Sequence, residues 1–141
     1  MIPAEDFAWI KERKECSLAS VFEMLRQQVK EDVRIRHGMV SDMANVGMPN
    51  RYTHAFKFID SGNSFTVLLE GEQLNHRVCF SRESDRIKVT DTNGEQILEA
   101  IPSLNLKGEC IMRIEKQDYP LWYMRLKTLE HLFFGIVQPQ P

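Results

Sequence analysis

Residues 54 to 115 contain short runs in which apolar and polar side chains alternate, and turn-forming residues separate these runs. Alternation with a period of two is typical of strands that bury one face. The segments "HAFKFID" and "SFTVLLEG" meet at the turn residues "DSGN", and "TDTNGEQ" carries the Asn-Gly pair that favours a type I′ hairpin. This pattern constrains the fold more than any other feature, and it predicts antiparallel hairpins that build a sheet with one apolar face.

Each expected hairpin has a register that places its large apolar side chains on one face. Turns at Ser61-Gly62, at residues 82–85 and at Asn93-Gly94 give three such registers. They pair Phe58 with Phe65, Phe80 with Ile87, and Val89 with Leu98. With the last run, "ECIMRIE", the sequence predicts a six-stranded antiparallel meander that forms a curved sheet or a half-open barrel.

An amphipathic helix precedes the strands in "SLASVFEMLRQQVKEDVRIRHG". Ser17 is placed to cap its N-terminus, and Gly38 is placed to end it in a left-handed conformation. The apolar positions that share one face are Leu18, Val21, Phe22, Leu25, Val29 and Val33. We expect this face to lie on the sheet.

A second helix is predicted in "DYPLWYMRLKTLEHLFFG", with Pro120 in its first turn and Gly135 at its end. The apolar arc expected to pack on the sheet contains Trp122, Leu126, Leu129 and Phe133. Outside this arc lie Tyr123, Met124 and Phe134. These additional apolar residues predict either a wider core contact or a surface that is buried in a homodimer.

The chain of 141 residues has a composition typical of a folded domain, with 43% hydrophobic and 27% charged residues. We predict one α+β domain over residues 1–141, with an N-terminal helix, the six-stranded meander and a C-terminal helix packed on the sheet. Residues 1–15 are expected to form a peripheral segment, and residues 136–141 a frayed tail.

Three cysteines, Cys16, Cys79 and Cys110, are far apart in the sequence. Their odd number and wide spacing predict reduced thiols rather than a disulfide framework or a zinc site. The first 15 residues lack the apolar core of a signal peptide, and the later apolar runs are too short to span a bilayer. These features predict a cytoplasmic protein that does not enter a membrane.

A long connection over residues 39–53 joins the first helix to the first strand, and basic residues cluster around it. The candidate binding residues are Arg36, His37, Arg51 and His54, together with Asp32. Guanidinium and imidazole groups in such a cluster favour an anionic ligand. The alternative is that the cations only complement the dipole at a helix C-terminus. Asp32 and Arg36 lie one helical turn apart, so we expect an ion pair at the end of the core, with a pocket lined by both as the alternative.

The net charge of -2 is too small for the electrostatic field that favours nucleic-acid binding. The sequence contains no metal-ligand spacing, nucleotide motif or activated nucleophile, so we expect neither a metal nor another cofactor. We therefore predict a non-catalytic binding or adaptor domain that self-associates and engages a protein partner or an anionic ligand near residues 39–53. The alternative is a small-ligand-binding protein or a small enzyme with a cavity between the curved sheet and the helices, using Asp32, Arg36 and His54.

Overall fold

The computed structural model describes residues 8–45, 55–71 and 75–135. Its helices are α1 (Trp9–Glu15), α2 (Leu18–Asn45) and α3 (Leu121–Glu130), and a π-helical turn (His131–Gly135) follows α3. Its strands are β1 (Ala55–Asp60), β2 (Ser64–Glu70), β3 (Asn75–Arg82), β4 (Ile87–Thr90), β5 (Gln96–Leu104), β6 (Cys110–Ile114) and β7 (Gln117–Tyr119). Neighbouring strands pair antiparallel in the order β1 to β7, so the α+β class and the meander are confirmed. Within these ranges, none of the helices is long and apolar enough to cross a membrane.

The sheet has seven strands, one more than the sequence predicted. The additional strand, β7, pairs with β6, although the sequence analysis assigned Asp118 to the start of the last helix. Glu115 and Lys116 form the tight connection with φ angles of 51° and 69°, a region that Gly or Asn usually occupies. The sequence therefore carries no turn signature at this point. With β1 and β7 at its two edges, the sheet is open and not a closed barrel.

The third hairpin keeps the predicted pairing of Val89 with Leu98, but its turn is not of type I′. A bulge between Val89 and Thr90 shifts the register before the turn, and Asn93 lacks the positive φ that a type I′ turn requires. The first two hairpins are each shifted by two residues, so that Phe58 lies opposite Val67 and Phe80 lies opposite Val89. In the first hairpin the two-residue turn lies one position later than predicted, at residues 62–63, and in the second a two-residue turn at residues 84–85 replaces the predicted four-residue turn. The Ser61 N–H donates to the Ser64 carbonyl (2.9 Å), and the Glu83 N–H donates to the Arg86 carbonyl (2.8 Å). Because side chains alternate with a period of two, these shifts keep the same side chains on the apolar face.

The N-terminal end and the buried face of α2 are as predicted. Ser17 Oγ accepts a hydrogen bond from the Ser20 N–H (3.2 Å), and Leu25 and Val29 are fully buried. The predicted end at Gly38 is wrong, because α2 continues to Asn45. One glycine costs a helix only about 1 kcal/mol, which the buried stripe of a long helix outweighs. The predicted connection over residues 39–53 is therefore wrong for residues 39–45, and its remainder falls outside the described ranges.

The face that α3 buries differs from the predicted one. Trp122 and Leu126 are 57% and 43% exposed, whereas Leu129 is buried as expected. The helix begins only after Pro120, and its buried residues include Met124, which favours the wider core contact. The π-helical turn then changes the angular phase, so the 100° per residue spacing used for the prediction does not hold across the whole segment.

Aromatic rings fill the space between α2 and the first three strands. The Phe65 ring centroid lies 5.1 Å from that of Phe22, 4.8 Å from that of Phe80 and 5.5 Å from that of Phe58. Phe65 and Phe80 have no exposed surface. Such stacking adds to the apolar burial that holds a helix on a sheet.

The prediction of reduced thiols is wrong for two of the three cysteines. Cys16 and Cys110, 94 residues apart in sequence, form a disulfide with a Cα–Cα distance of 5.4 Å. Only Cys79 is a free thiol, half-buried in β3. An odd number of cysteines does not indicate which two form a bond. Sequence spacing also does not reveal that the start of α2 and the start of β6 come together in the fold.

Candidate functional site

One end of the sheet, here called the cleft end, is formed by the start of β3, the β4–β5 turn (residues 91–95) and the π-helical turn after α3. The last turns of α2 reach the same end, since His37 Nδ1 lies 3.4 Å from the N–H of Phe56 at the start of β1. Strand pairing links these positions, because Phe56 lies opposite Leu69, which in turn lies opposite His76. The sequence-predicted cluster and the cleft described below therefore lie at one end of the molecule.

Arg36 connects α2 to the π-helical turn. Its side chain is buried, and Nε donates to the Phe133 carbonyl at 2.7 Å. The guanidinium carbon lies 4.8 Å from the ring centroid of Phe56 and 4.9 Å from that of Phe134. Phe56 is buried and Phe134 is half exposed, and contact with two ring faces stabilises the guanidinium. These contacts make Arg36 an anchor of the fold at the cleft end.

Asp32 does not pair with Arg36, so that prediction is wrong. Arg125 of α3 lies 3.3 Å from the Asp32 carboxylate, because Asp32 lies at the flank of α2 that faces α3 while Arg36 lies near the centre of the buried face. Burial raises the pKa of Asp32 above its ordinary value, and the attraction of Arg125 offsets only part of this effect. Asp32 therefore contributes to the contact between the two helices.

His37 is exposed at the other flank of α2, beside β1. The structure thus brings Arg36 and His37 to the same strand and directs Asp32 toward α3. The remaining two candidate residues, Arg51 and His54, lie outside the described ranges.

An open cleft of about 430 Å³ lies between the strand ends and α3, which is within the size range of small-ligand sites. Its apolar lining is formed by Val78, Ile97 and Leu132. Its basic lining is formed by His76, Lys127 and His131, and Arg77 borders it from the neighbouring position of β3. Side chains from β3, from β5 and from α3 therefore meet in one concave surface that is apolar in part and basic in part.

Asp91 and two threonines of the lining bind the backbone. Asp91 Oδ1 accepts hydrogen bonds from the N–H groups of Asn93 (2.9 Å) and Glu95 (3.0 Å), which is an Asx-type turn. Thr92 Oγ1 accepts from the Arg77 N–H at 3.0 Å, and Thr128 Oγ1 donates to a carbonyl of its own helix. The polar oxygens are thus used within the protein.

The basic side chains of the cleft lack such partners. Among the residues that the structure describes, the side chains of His76, Arg77, Lys127 and His131 make no hydrogen bond or ion pair. Asp91, the one carboxylate in the lining, is held by the backbone of its own turn. The cleft therefore presents donor groups and positive charge to whatever enters it.

The π-helical turn positions His131. A Cβ added at Gly135 would lie 2.3 Å from His131 Nδ1, so the absence of a side chain at Gly135 leaves room for the imidazole ring. π-helical turns are rare and often occur at functional sites. The backbone of this turn thus fixes the position of the His131 imidazole at the edge of the cleft.

The cleft was not predicted, because His76 and His131 are far apart in the sequence and belong to no motif. One usable signal was present, since Lys127 and His131 are four residues apart and share a face of the last helix. Their meeting with His76 depends on tertiary structure. In the described ranges, no group of three or more His, Cys, Asp or Glu side chains could hold a metal ion.

Two further depressions lie elsewhere, one of about 520 Å³ and one of about 200 Å³. One is lined by Leu68, Glu70 and Arg77 on the outer face of the sheet, and the other lies beside the disulfide.

Comparisons with protein-family models, with curated proteins and with solved structures give no match. The chemistry of the cleft is therefore the basis on which a function is assigned.

Proposed function

We propose that this protein is a non-catalytic binding domain that holds an anionic ligand in the cleft between the ends of β3–β5 and α3. One observation carries the proposal: Lys127, His131 and His76 line a partly apolar concave surface without carboxylate partners in the described part of the chain. Phosphate and carboxylate groups are the ligands that such donors favour. The expected binding face lies at the same end of the fold as Arg36 and His37.

The apolar part of the lining defines the rest of the ligand. Val78, Ile97 and Leu132 offer carbon surface next to the cationic groups. A ligand that carries an anionic head and a short apolar portion can bury the latter against this surface and leave its charge among the donors. An inorganic anion alone uses only half of the lining, so we expect it to bind more weakly.

The chemistry of the lining supports binding rather than catalysis. Asp91, Thr92 and Thr128, which could act as bases or nucleophiles, are held in backbone hydrogen bonds. The free thiol of Cys79 lies in the middle of β3 beside Ser81, outside the cleft lining. In the described part of the chain, neither His76 nor His131 is hydrogen-bonded to a hydroxyl or thiol, so the lining holds no nucleophile–base pair.

Isothermal titration calorimetry with octyl phosphate and with inorganic phosphate tests this proposal. We expect octyl phosphate to bind more tightly than inorganic phosphate. The double substitution Lys127→Ala/His131→Ala should weaken octyl phosphate binding by about tenfold or more, because each lost charged hydrogen bond is worth about 1.5 kcal/mol. Lys107→Ala is the matched control, since Lys107 is exposed in the β5–β6 turn at the opposite end of the sheet.

Two results would contradict the proposal. The first is an octyl phosphate affinity that is the same in the double variant and in the control. The second is the absence of binding of either probe by the unaltered protein. Both side chains are exposed, so we expect the melting temperatures of the variants to match that of the unaltered protein.

Self-association and a cytoplasmic location stay predictions of the sequence. The exposed Trp122 and Leu126 of α3 are the side chains that a homodimer would bury, and light scattering of Trp122→Ser against the unaltered chain tests this. The Cys16–Cys110 disulfide weighs against a reducing cytoplasm, because such bonds persist mainly in oxidising environments.

A further inference from the structure

The disulfide joins the corner between α1 and α2 to the start of β6. Cys16 lies in that corner and has no exposed surface, whereas Cys110 is exposed at the first position of its strand. A solvent thiolate can therefore reach the bond from the Cys110 side. This arrangement differs from that of a fully buried structural disulfide.

Little else holds α1 on the sheet. The helix has no buried residue, and Trp9 and Ile10 are 61% and 69% exposed. Its described hydrogen bonds outside the helix stay within the corner, for example from Arg13 to the Cys16 carbonyl and from Ser20 Oγ to the Lys14 carbonyl. Within the described ranges, the disulfide is the only covalent or hydrogen bond between this corner and the sheet.

A groove of about 200 Å³ lies beside the disulfide, where α1 forms one wall. Glu12 and Glu15 of α1 line that wall, and the opposite side is apolar, with Val21, Met24, Met112 and Leu121. Val21 and Met112 are almost completely buried. Movement of α1 would therefore expose apolar surface that the intact disulfide keeps covered.

We propose that the Cys16–Cys110 disulfide is a redox-controlled clamp on α1. A dithiol reductant attacks Cys110 Sγ through its thiolate, forms a mixed disulfide and releases Cys16 as a thiolate, which takes up a proton. The second thiol of the reductant then displaces Cys110. The protein gains two electrons and two protons as two thiols, and the reductant becomes a cyclic disulfide. Reduction frees α1 and uncovers the groove while the sheet and α2 stay folded.

The position of the clamp makes it independent of the anion cleft. The disulfide joins the N-terminal end of α2, whereas the cleft lies where α2 and α3 end. The sheet and α2 share a continuous apolar core that includes Phe22, Leu25 and Phe65. We therefore expect the loss of this one bond to release α1 without unfolding the core.

Limited proteolysis of the full chain with trypsin tests the clamp, because α1 contains Lys11, Arg13 and Lys14. Dithiothreitol should raise cleavage at these residues about tenfold, while Lys88 within β4 stays uncut over the same period. Mass spectrometry confirms reduction by the gain of two hydrogens. The variant Cys16→Ser/Cys110→Ser should be cut in α1 without dithiothreitol, and Cys79→Ser should behave as the unaltered protein does.

Either of two results would overturn the clamp. One is unchanged cleavage in α1 after mass spectrometry has shown the bond to be reduced. The other is cleavage at Lys88 that rises together with cleavage in α1, which would mean that the disulfide stabilises the whole fold. The arm with dithiothreitol uses the unaltered chain, so it decides the question even if the double variant does not fold.

Discussion

Two arginines of α2, ten positions apart, anchor the helix in similar ways at two places on the sheet. Arg26 lies over the rings of Phe22 and Phe65 and donates to the Asp60 carboxylate and the Gly62 carbonyl in the β1–β2 turn. Arg36 lies between two rings at the cleft end and donates to the carbonyl of Phe133. Each guanidinium combines ring contacts with a backbone acceptor.

The difference lies in what each arginine fastens. Arg26 fastens a tight hairpin turn, and its charge is neutralised by Asp60. Arg36 fastens the π-helical turn, from which His131 and, one helical turn earlier, Lys127 line the cleft. Arg26 thus holds a turn in which its own charge is balanced, whereas Arg36 holds the turn that carries a basic side chain of the cleft. In the proposed binding function, α3 and its π-helical turn therefore contribute more of the cleft's basic side chains than α2 does.

The largest expected effect is the loss of the Arg36 anchor. Arg36→Ala removes a buried cation from between two rings and leaves the Phe133 carbonyl without this donor. We expect a loss of about 3 kcal/mol in the free energy of unfolding, measured by urea denaturation. Arg26→Ala should cost about 1.5 kcal/mol, because its surroundings are more exposed and water can replace its partners. Equal losses would show that the two anchors do not differ.

A smaller effect is expected at the wall of the cleft. Thr92→Val removes the hydrogen bond to the Arg77 N–H and should lower the free energy of unfolding by about 1 kcal/mol. Thr90→Val is the matched control, since the Thr90 hydroxyl has no hydrogen bond in the described part of the chain. Urea denaturation of both variants measures the difference. A Thr90→Val loss as large as that of Thr92→Val would contradict this account of the wall.

The smallest expected effect is in pH dependence, where Asp60 and Asp32 should respond in opposite directions. The Gly62 N–H and then Arg26 lower the pKa of Asp60, so its stabilisation is present above its ordinary pKa of 3.8 and is lost as the pH falls. Burial raises the pKa of Asp32 above its ordinary value of 3.8. The contribution of Asp32 to stability is therefore most favourable below pH 3.8 and decreases as the pH rises through the folded-state pKa. Partial exposure screens both effects.

Urea midpoints of Asp60→Asn and Asp32→Asn, each measured against the unaltered chain from acidic to neutral pH, test these signs. The advantage of the unaltered chain over Asp60→Asn should shrink on acidification. Its stability relative to Asp32→Asn should fall as the pH rises. If the plots of urea midpoint against pH for a variant and for the unaltered chain run parallel, the aspartate that was replaced has the same pKa in the folded and unfolded chains.

The sequence predicted the fold best where local pattern and tertiary burial agree. The α2 stripe from Leu18 to Val33 is a clear case, and so is the pairing of Val89 with Leu98 on the apolar face of the third hairpin. The pattern failed where the backbone departs from ideal periods. The turn at Glu115-Lys116 lacks the usual residues, and the π-helical turn changes the phase of the last helix.

The candidate site was only partly predictable for a related reason. The sequence located the basic end of α2, but it could not show that Arg36 would be buried between rings from β1 and the π-helical turn. The cleft takes His76 from β3 and His131 from the last segment, positions 55 residues apart by their numbers. Only the fold brings them together.

The most direct test of the central claim is mapping of backbone amide chemical shifts during titration with octyl phosphate. The account predicts shifts concentrated at residues 76–78, 91–93 and 127–132, which line the cleft between the strand ends and α3. Shifts confined to the groove beside Cys110 or to the outer sheet face near Leu68, or no shifts at all, would contradict it.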